Sequence, residues 1–139
     1  MKSGTPLARL AVSLTLALGV IVLTACGDDE SAQDRYCEAG KSLNASVSAL
    51  VEVDVVAEGT NGVSAALEDV NNDLSELGES ASDAASDEVD TLKAAVGELE
   101  DALSAAGDSL TADNAVSVIN AIDGIRLAFS GVGETLTDC

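Results

Sequence analysis

Apolar residues recur at alternating steps of three and four along much of this 139-residue chain. Such steps place the side chains on one face of an α-helix, whereas a strand requires a step of two. The two clearest stripes consist of Val63, Leu67, Val70, Leu74 and Leu77, and of Val89, Leu92, Val96, Leu99 and Leu103. Both are narrow and flanked by polar residues, so each helix must bury its stripe against other helices. The chain is therefore predicted to be all-α.

Two further stretches extend this pattern over the first and last helices. Asp34 is predicted to cap the first helix and Thr111 the last, with Asp113 in the first turn of the last helix. The predicted core positions are Tyr36, Gly40, Leu43, Val47, Leu50 and Ala57 in the first helix, and Ala115, Val118, Ile122, Ile125, Phe129, Val132 and Leu136 in the last.

The breaks between helices are marked by glycine and small polar residues. Gly59-Thr60-Asn61-Gly62 is the clearest turn signal, and Gly107 is predicted to end the third helix. Ser86 is predicted to cap that helix, with Asp87 and Glu88 in its first turn. Residues 51–56 alternate and are rich in valine, so they fit a strand as well as a helix. Helix is preferred because no other segment offers that strand a partner.

The first 26 residues have the features of an export signal. Lys2 and Arg9 carry positive charge, and residues 10–23 are almost wholly apolar. The sequence Leu23-Thr24-Ala25-Cys26 resembles the end of a bacterial lipoprotein signal peptide. The resemblance implies cleavage before Cys26, a diacylglycerol on its sulfur and acylation of the new amino terminus. An uncleaved transmembrane helix is the alternative, but it needs roughly 20 apolar residues, more than this run provides.

This resemblance divides the chain into a signal peptide at 1–25, a lipidated tether at 26–33 and a helical domain at 34–139. It places the domain on the extracytoplasmic face of the cell membrane. The lipid bilayer is then a partner through the acyl chains on Cys26, which hold a protein stably when two or three are present. The helical domain itself resembles no family.

The charge of the chain limits its partners. All 25 acidic residues follow residue 25, where only four cations accompany them, giving a net charge of −21 for residues 26–139. Such a domain is repelled by phosphate backbones and anionic lipid, which argues against a nucleic-acid partner. Solvated helix faces account for most individual carboxylates. The 47% apolar content is too high for a disordered segment and predicts a packed core.

Three cysteines are an awkward number for an exported protein. Lipidation of Cys26 would leave Cys37 and Cys139, which are predicted to form a disulfide between the start and the end of the domain. Two free thiols are the alternative. A redox-active pair is disfavoured because the chain contains no Cys-x-x-Cys sequence and neither cysteine lies among basic residues.

Residues 78–86 decide the architecture. If they are helical, the domain has three helices, and an up-down-up path leaves Cys37 and Cys139 at opposite ends. A disulfide requires Cα atoms within roughly 7 Å. A turn within residues 78–86 instead gives an antiparallel up-down-up-down four-helix bundle, in which the two cysteines meet. Gly40, Gly131 and Gly133 are candidates for the close helix approach that this requires, or simply tolerated helix breaks.

The sequence contains little that supports catalysis. It has no histidine, which removes histidine-based zinc sites and histidine general bases. Asp69-x-Asn71-x-Asp73 opens like a calcium loop, but Leu74 replaces the required glycine and Ser80 the bidentate glutamate. A polar helix face is the better interpretation of these residues. We assign no catalytic residue, metal ligand or cofactor, and expect no enzyme; a buried pair of carboxylates with shifted pKa would be needed to argue otherwise.

Two functions remain open. The first is a non-enzymatic interaction or structural module that offers helix faces to a protein or a basic peptide. It predicts a packed interior with an exposed apolar or acidic patch. The second is a carrier of a small apolar ligand or lipid, which predicts a cavity of several hundred Å³ between the helices. Weak binding of divalent cations by clustered carboxylates fits either function.

Overall fold

The computed structural model describes residues 31–139, which form four α-helices and no strand. They are α1 (Ala32–Glu52), α2 (Val55–Ser80), α3 (Ser86–Ala106) and α4 (Ala112–Thr135). This helical bundle confirms the all-α prediction and the count of four helices. Cys26, the predicted signal peptide and most of the predicted tether lie outside the described residues.

The four helices surround a single core built from the predicted stripes. α1 packs mainly on α2 and α3 mainly on α4, while smaller contacts join α2 to α3 and α1 to α4. Leu103 and Phe129 are half-buried, and no polar side chain of residues 31–139 is fully buried. The largest side chains with no solvent exposure are Leu43, Leu50, Leu77, Leu92, Leu99 and Ile125.

The connection between α1 and α2 differs from the prediction. The helices are separated at Val53 and Asp54, whereas the predicted turn at 59–62 lies within α2. The Asp54 carboxylate accepts hydrogen bonds from the backbone N–H groups of Val56 at 3.1 Å and Ala57 at 2.9 Å, which begins α2 early. Residues 51–56 therefore form neither a strand nor a continuous helix, and Ala57 is exposed rather than in the core.

Gly59 produces a kink where a turn was expected. Its φ of 67° and ψ of −164° interrupt the helical geometry of α2, while helical hydrogen bonding resumes on both sides. Glycine adopts this conformation without the steric penalty that a Cβ would bring. The turn signal was therefore real as a local conformation, but Asp54 supplies the helix start that determines where α1 and α2 separate.

Two helix starts also differ from their predictions. Ser31, not Asp34, caps α1: its hydroxyl accepts from the Asp34 N–H at 3.1 Å, and the Asp34 carboxylate accepts from the Ser31 N–H at 3.3 Å. This reciprocal capping box gives Asp34 the third helical position. At α3 the cap position is Ala85, and the Ser86 hydroxyl donates to the carbonyl of Asp83 instead. Thr111 caps α4 as predicted, in a capping box with Asn114.

Residues 81–85 separate α2 from α3, which confirms the predicted break, and Gly107 ends α3 with a φ of 60°. The prediction for Gly40 is also confirmed: a Cβ built there would lie 2.5 Å from Leu136 Cδ2, at the contact between α1 and the end of α4. At the other two glycines no such close approach is found, which leaves the alternative that they are tolerated in the helix. A Cβ on Gly131 would face Glu88 of α3, and one on Gly133 would meet nothing within 4 Å.

The disulfide between Cys37 and Cys139 closes the domain. It joins residues 102 positions apart, with their Cα atoms 5.6 Å apart. Beside it the hydroxyls of Tyr36 and Thr135 are hydrogen bonded at 2.6 Å. The start of α1 is thereby fixed to the end of the chain by one covalent and one polar contact.

Candidate functional site

An apolar groove lies at the end of the bundle where α1 passes into α2. It has a volume of about 280 Å³ and is bordered by the first half of α4. Val56 is 83% exposed, Ile119 43% and Val51 40%. The groove, as the term is used below, is lined by Val51, Val53, Asp54, Val55, Val56, Ile119, Ile122 and Asp123.

The local sequence explains why these valines are exposed. Alternating valines run through the break between α1 and α2, so they cannot all share the buried stripe of either helix. Val55 is buried, whereas Val51 and Val56 face solvent. On α4, Val116, Ile119 and Leu127 fall on the outer face, because steps of 3 and 8 residues return to nearly the same side of a helix. The groove thus opens onto an unusually apolar helix face.

α4 has more apolar residues than its buried face can hold. Of the described helices, it is the one long and apolar enough to cross a membrane, with a mean hydropathy of 1.3 in its most apolar window. Only 28% of that window is buried inside the domain. Val118, Ile122, Ile125 and Val132 point into the bundle, so the remaining apolar residues of α4 enlarge the exposed surface.

Charge is distributed unevenly around the bundle. α2 and α3 together carry twelve carboxylates and one cation, whereas α1 and α4 carry six carboxylates and three cations. The groove lies mainly on the less charged side, but it has carboxylates of its own. Asp54 and Asp123 line it, and Glu52 lies in the last turn of α1.

The negative potential at the groove is only partly neutralised. Arg126 Nε lies 3.4 Å from Asp123 Oδ1, in an ion pair whose side chains are both more than half exposed. No described helix has a basic residue in its last turn, including α1, which ends at the groove. The carboxyl end of α1 carries partial negative charge, which the positive amino end of α2 partly offsets. The groove therefore combines apolar contact area with negative charge that is only partly neutralised.

A larger cleft lies at the opposite end of α1, beside the disulfide. Its volume is about 920 Å³, and it is open to solvent between the start of α1, the turn from α2 to α3 and the end of the chain. It differs from the groove in chemistry, because most of its long side chains are charged. These are Arg35, Glu38, Glu76, Glu79 and Asp138, accompanied by Tyr36 and several alanines.

Two residues of the incomplete calcium motif form hydrogen bonds between helices. Asn71 of α2 donates a hydrogen bond to Glu100 of α3 at 2.9 Å. Asp73 accepts one from the hydroxyl of Ser46 on α1. The predicted polar face of α2 is thus partly an interhelical contact. Within residues 31–139, no group of three or more cysteine or carboxylate side chains is placed to hold a metal ion.

The structure brings together the two predicted cysteines, Cys37 and Cys139, whereas Cys26 precedes the described part of the chain. Sequence reasoning missed the groove. Two signals pointed to it: the valine run at 51–56, and apolar residues on α4 that do not belong to its buried stripe, notably Val116 and Ile119. Comparison with protein-family models, curated proteins and solved structures finds no match.

Proposed function

We propose that this protein is a lipid-anchored extracytoplasmic lipoprotein whose helical domain is a non-enzymatic interaction module. The observation that carries the proposal is the apolar groove on an otherwise acidic surface. Exposed apolar area of this kind contributes roughly 25 cal/mol per Å² when a partner removes it from water. Such patches at the surface of a soluble domain mark interaction sites.

The core supports the same proposal. The largest stripe residues are fully buried, and the disulfide fixes the start of α1 to the chain end. A domain held in this way presents its surface in a fixed geometry, which reduces the ordering cost of docking. The described residues therefore offer a preformed surface.

The anchor is supported by the signal-like first 26 residues. α1 begins a few residues after Cys26, so the tether joins the end of the bundle that holds the cleft. The groove lies at the other end of α1, about 30 Å away for a helix of this length. We infer that the groove faces away from the bilayer and is free to meet other proteins.

We also infer an antiparallel up-down-up-down path for the four helices. Helices that follow one another in sequence pack together, and α1 also contacts α4. The connections are short, since residues 53–54, 81–85 and 107–111 link the helices. Short connections favour antiparallel neighbours in helical bundles.

Photo-cross-linking in living cells tests the interaction role. A photoreactive amino acid is placed at Val56 in the groove or, as a control, at the exposed Glu68 of α2. We expect one discrete protein adduct from position 56 that is absent from position 68. Equal labelling at both positions, or none at position 56, would contradict an interaction role for the groove.

Metabolic labelling with an alkyne fatty acid tests the anchor separately. We expect label on the native protein and none on the Cys26→Ser variant, because the sulfur of Cys26 is the proposed attachment atom. The variant should also keep its signal peptide and run larger on a gel. Label that persists in Cys26→Ser would contradict the lipidation site.

A carrier of small apolar ligands is the second candidate, favoured only by the volume of the cleft. Its charged lining counts against an apolar occupant, because burying Glu38, Glu76 or Glu79 against hydrocarbon carries a desolvation cost. A fluorescent fatty acid titrated onto the protein tests this candidate. The Ala84→Trp variant would fill the cleft. If the protein binds the fatty acid saturably and this variant does not, the carrier function would be favoured over the interaction role.

A further inference from the structure

The groove carries two kinds of group: exposed apolar side chains, and carboxylates whose charge is only partly neutralised. Val51, Val56 and Ile119 expose apolar surface, and the carboxylates of Asp54 and Asp123 lie among them. An apolar partner alone would leave the carboxylates poorly solvated. A cationic partner alone would leave the valines in water. The occupant must therefore supply apolar and cationic groups at close spacing.

The surroundings of the groove strengthen the charge requirement. Three carboxylates, Glu52, Asp54 and Glu58, lie within seven residues around the break between α1 and α2, with no cation among them. Arg126 is the one cation recorded beside a groove carboxylate in the described chain, and it is exposed.

We propose that the groove binds an amphipathic segment of another protein that presents lysine or arginine beside an apolar stripe. This inference rests on the interaction role proposed above and specifies its partner. Apolar side chains of the segment would lie against Val51, Val56 and Ile119. Its cations would pair with Asp54 and Asp123 at the edges, where charge complementarity sets register and speeds association.

A second copy of this chain is the less suitable occupant. Residues 26–139 carry a net charge of −21, so two copies repel each other at low ionic strength. The groove of one copy would also bring its carboxylates toward those of the other. With a basic segment, both the overall charge interaction and the contacts at the groove carboxylates become attractive. Charge therefore favours a basic segment over a second copy.

Peptide binding to the full chain tests this proposal. The probe is a synthetic 18-residue amphipathic helix of leucine and lysine, titrated onto the protein in phosphatidylcholine nanodiscs, with empty nanodiscs as the blank. A leucine–glutamate helix and a lysine–serine peptide of equal charge serve as control peptides. We expect saturable binding of the leucine–lysine helix alone, weakening as salt is raised.

Matched variants locate the site. Asp54→Asn with Asp123→Asn removes two groove charges, and asparagine still caps α2. We expect about fivefold weaker binding, against no change for Glu68→Gln with Glu98→Gln on α2 and α3. Val56→Ser should weaken binding about tenfold, whereas Ala94→Ser, at an exposed position of α3 outside the groove, should not. Circular dichroism verifies that each variant keeps its helices.

Three results would overturn the proposal. The first is equal weakening by both charge-removal pairs, which would mean non-specific attraction. The second is self-association in sedimentation that Val56→Ser abolishes, which would make a second copy the occupant. The third is a specific adduct from position 56 in cells without binding of the leucine–lysine helix. In that case the interaction role would stand and only the partner's chemistry would be wrong.

Discussion

At Gly40, α1 lies in close contact with the residue that follows α4. A Cβ there would lie 2.5 and 2.6 Å from the two δ-carbons of Leu136, so Leu136 occupies the space that any larger residue would need. The contact lies one turn beyond Cys37 and beside the hydrogen bond between Tyr36 and Thr135. Covalent closure and close packing thus coincide at this end of the domain.

Gly40→Ala should therefore lower the free energy of unfolding even though alanine is the better helix former. Overpacking costs roughly 1–3 kcal/mol, and a cost above the lower end of that range outweighs the propensity gain of about 1 kcal/mol. Gly97→Ala on α3 is the matched control, because a Cβ there meets nothing within 4 Å and should stabilise the protein. Urea unfolding measures both. In a Leu136→Ala background the cost of Gly40→Ala should disappear; a cost that persists would show that the clash is elsewhere.

At the scale of the helices, the position at which α2 starts is set by one capping side chain, Asp54, and not by the glycines of the predicted turn at 59–62. Asp54 satisfies two backbone N–H groups that would otherwise lack partners at the start of the helix. Gly59 then bends α2 without ending it. The break between α1 and α2 therefore lies several residues before the predicted turn at 59–62. Valines on both sides of this break are left exposed.

Asp54→Ala should destabilise the domain by about 1 kcal/mol through loss of this cap. Asp54→Asn should retain nearly all of the stability, since an amide oxygen accepts the same hydrogen bonds. Thermal unfolding followed by circular dichroism distinguishes the two. Equal losses in both variants would show that the charge of Asp54, rather than its capping geometry, stabilises α2.

The helical stripes could be predicted because Leu, Val and Ile recur at steps of three and four residues, which is the period of an α-helix. The cap at Thr111 followed in the same way from a local side chain. The break at 53–54 could not, because Asp54 and the glycines of 59–62 each signal a helix boundary and the sequence does not rank them. The groove depends on which valines the tertiary packing leaves outside, and that is decided only once α4 lies beside the end of α1.

At the scale of the whole molecule, two features have opposite effects on the stability of the domain. The disulfide closes a loop of about 100 residues, while 22 carboxylates face four cations in residues 31–139. Only two ion pairs join described side chains, Lys93 with Asp90 and Arg126 with Asp123, and both are exposed and within a single helix. Such pairs contribute little to stability. Covalent closure and the apolar core must therefore offset the repulsion.

Replacing both cysteines by serine, Cys37→Ser with Cys139→Ser, should lower the free energy of unfolding by about 4 kcal/mol. The larger part arises in the unfolded chain, which the disulfide restricts. Denaturant unfolding of the variant should match that of the reduced native chain. A loss below about 1 kcal/mol would contradict a structural role for the disulfide.

Salt should stabilise the domain. Raising sodium chloride from 10 to 200 mM shortens the Debye length from about 30 Å to less than 10 Å and screens the carboxylates of α2 and α3. A gain of about 1 kcal/mol corresponds to a rise in Tm of roughly 4 °C. The rise should be smaller in the Glu68→Gln, Glu98→Gln variant. A Tm independent of salt would mean that the charge asymmetry carries no energetic cost.

We propose that Cys26 holds this protein to a membrane, while Cys37 and Cys139 close its bundle. Intact-mass analysis of membrane-extracted protein, alkylated with and without prior reduction, tests both parts at once. We predict the mass of residues 26–139 plus acyl groups, with two alkyl groups gained only after reduction. An unlipidated chain, or thiols that alkylate without reduction, would contradict the anchor or the closure respectively.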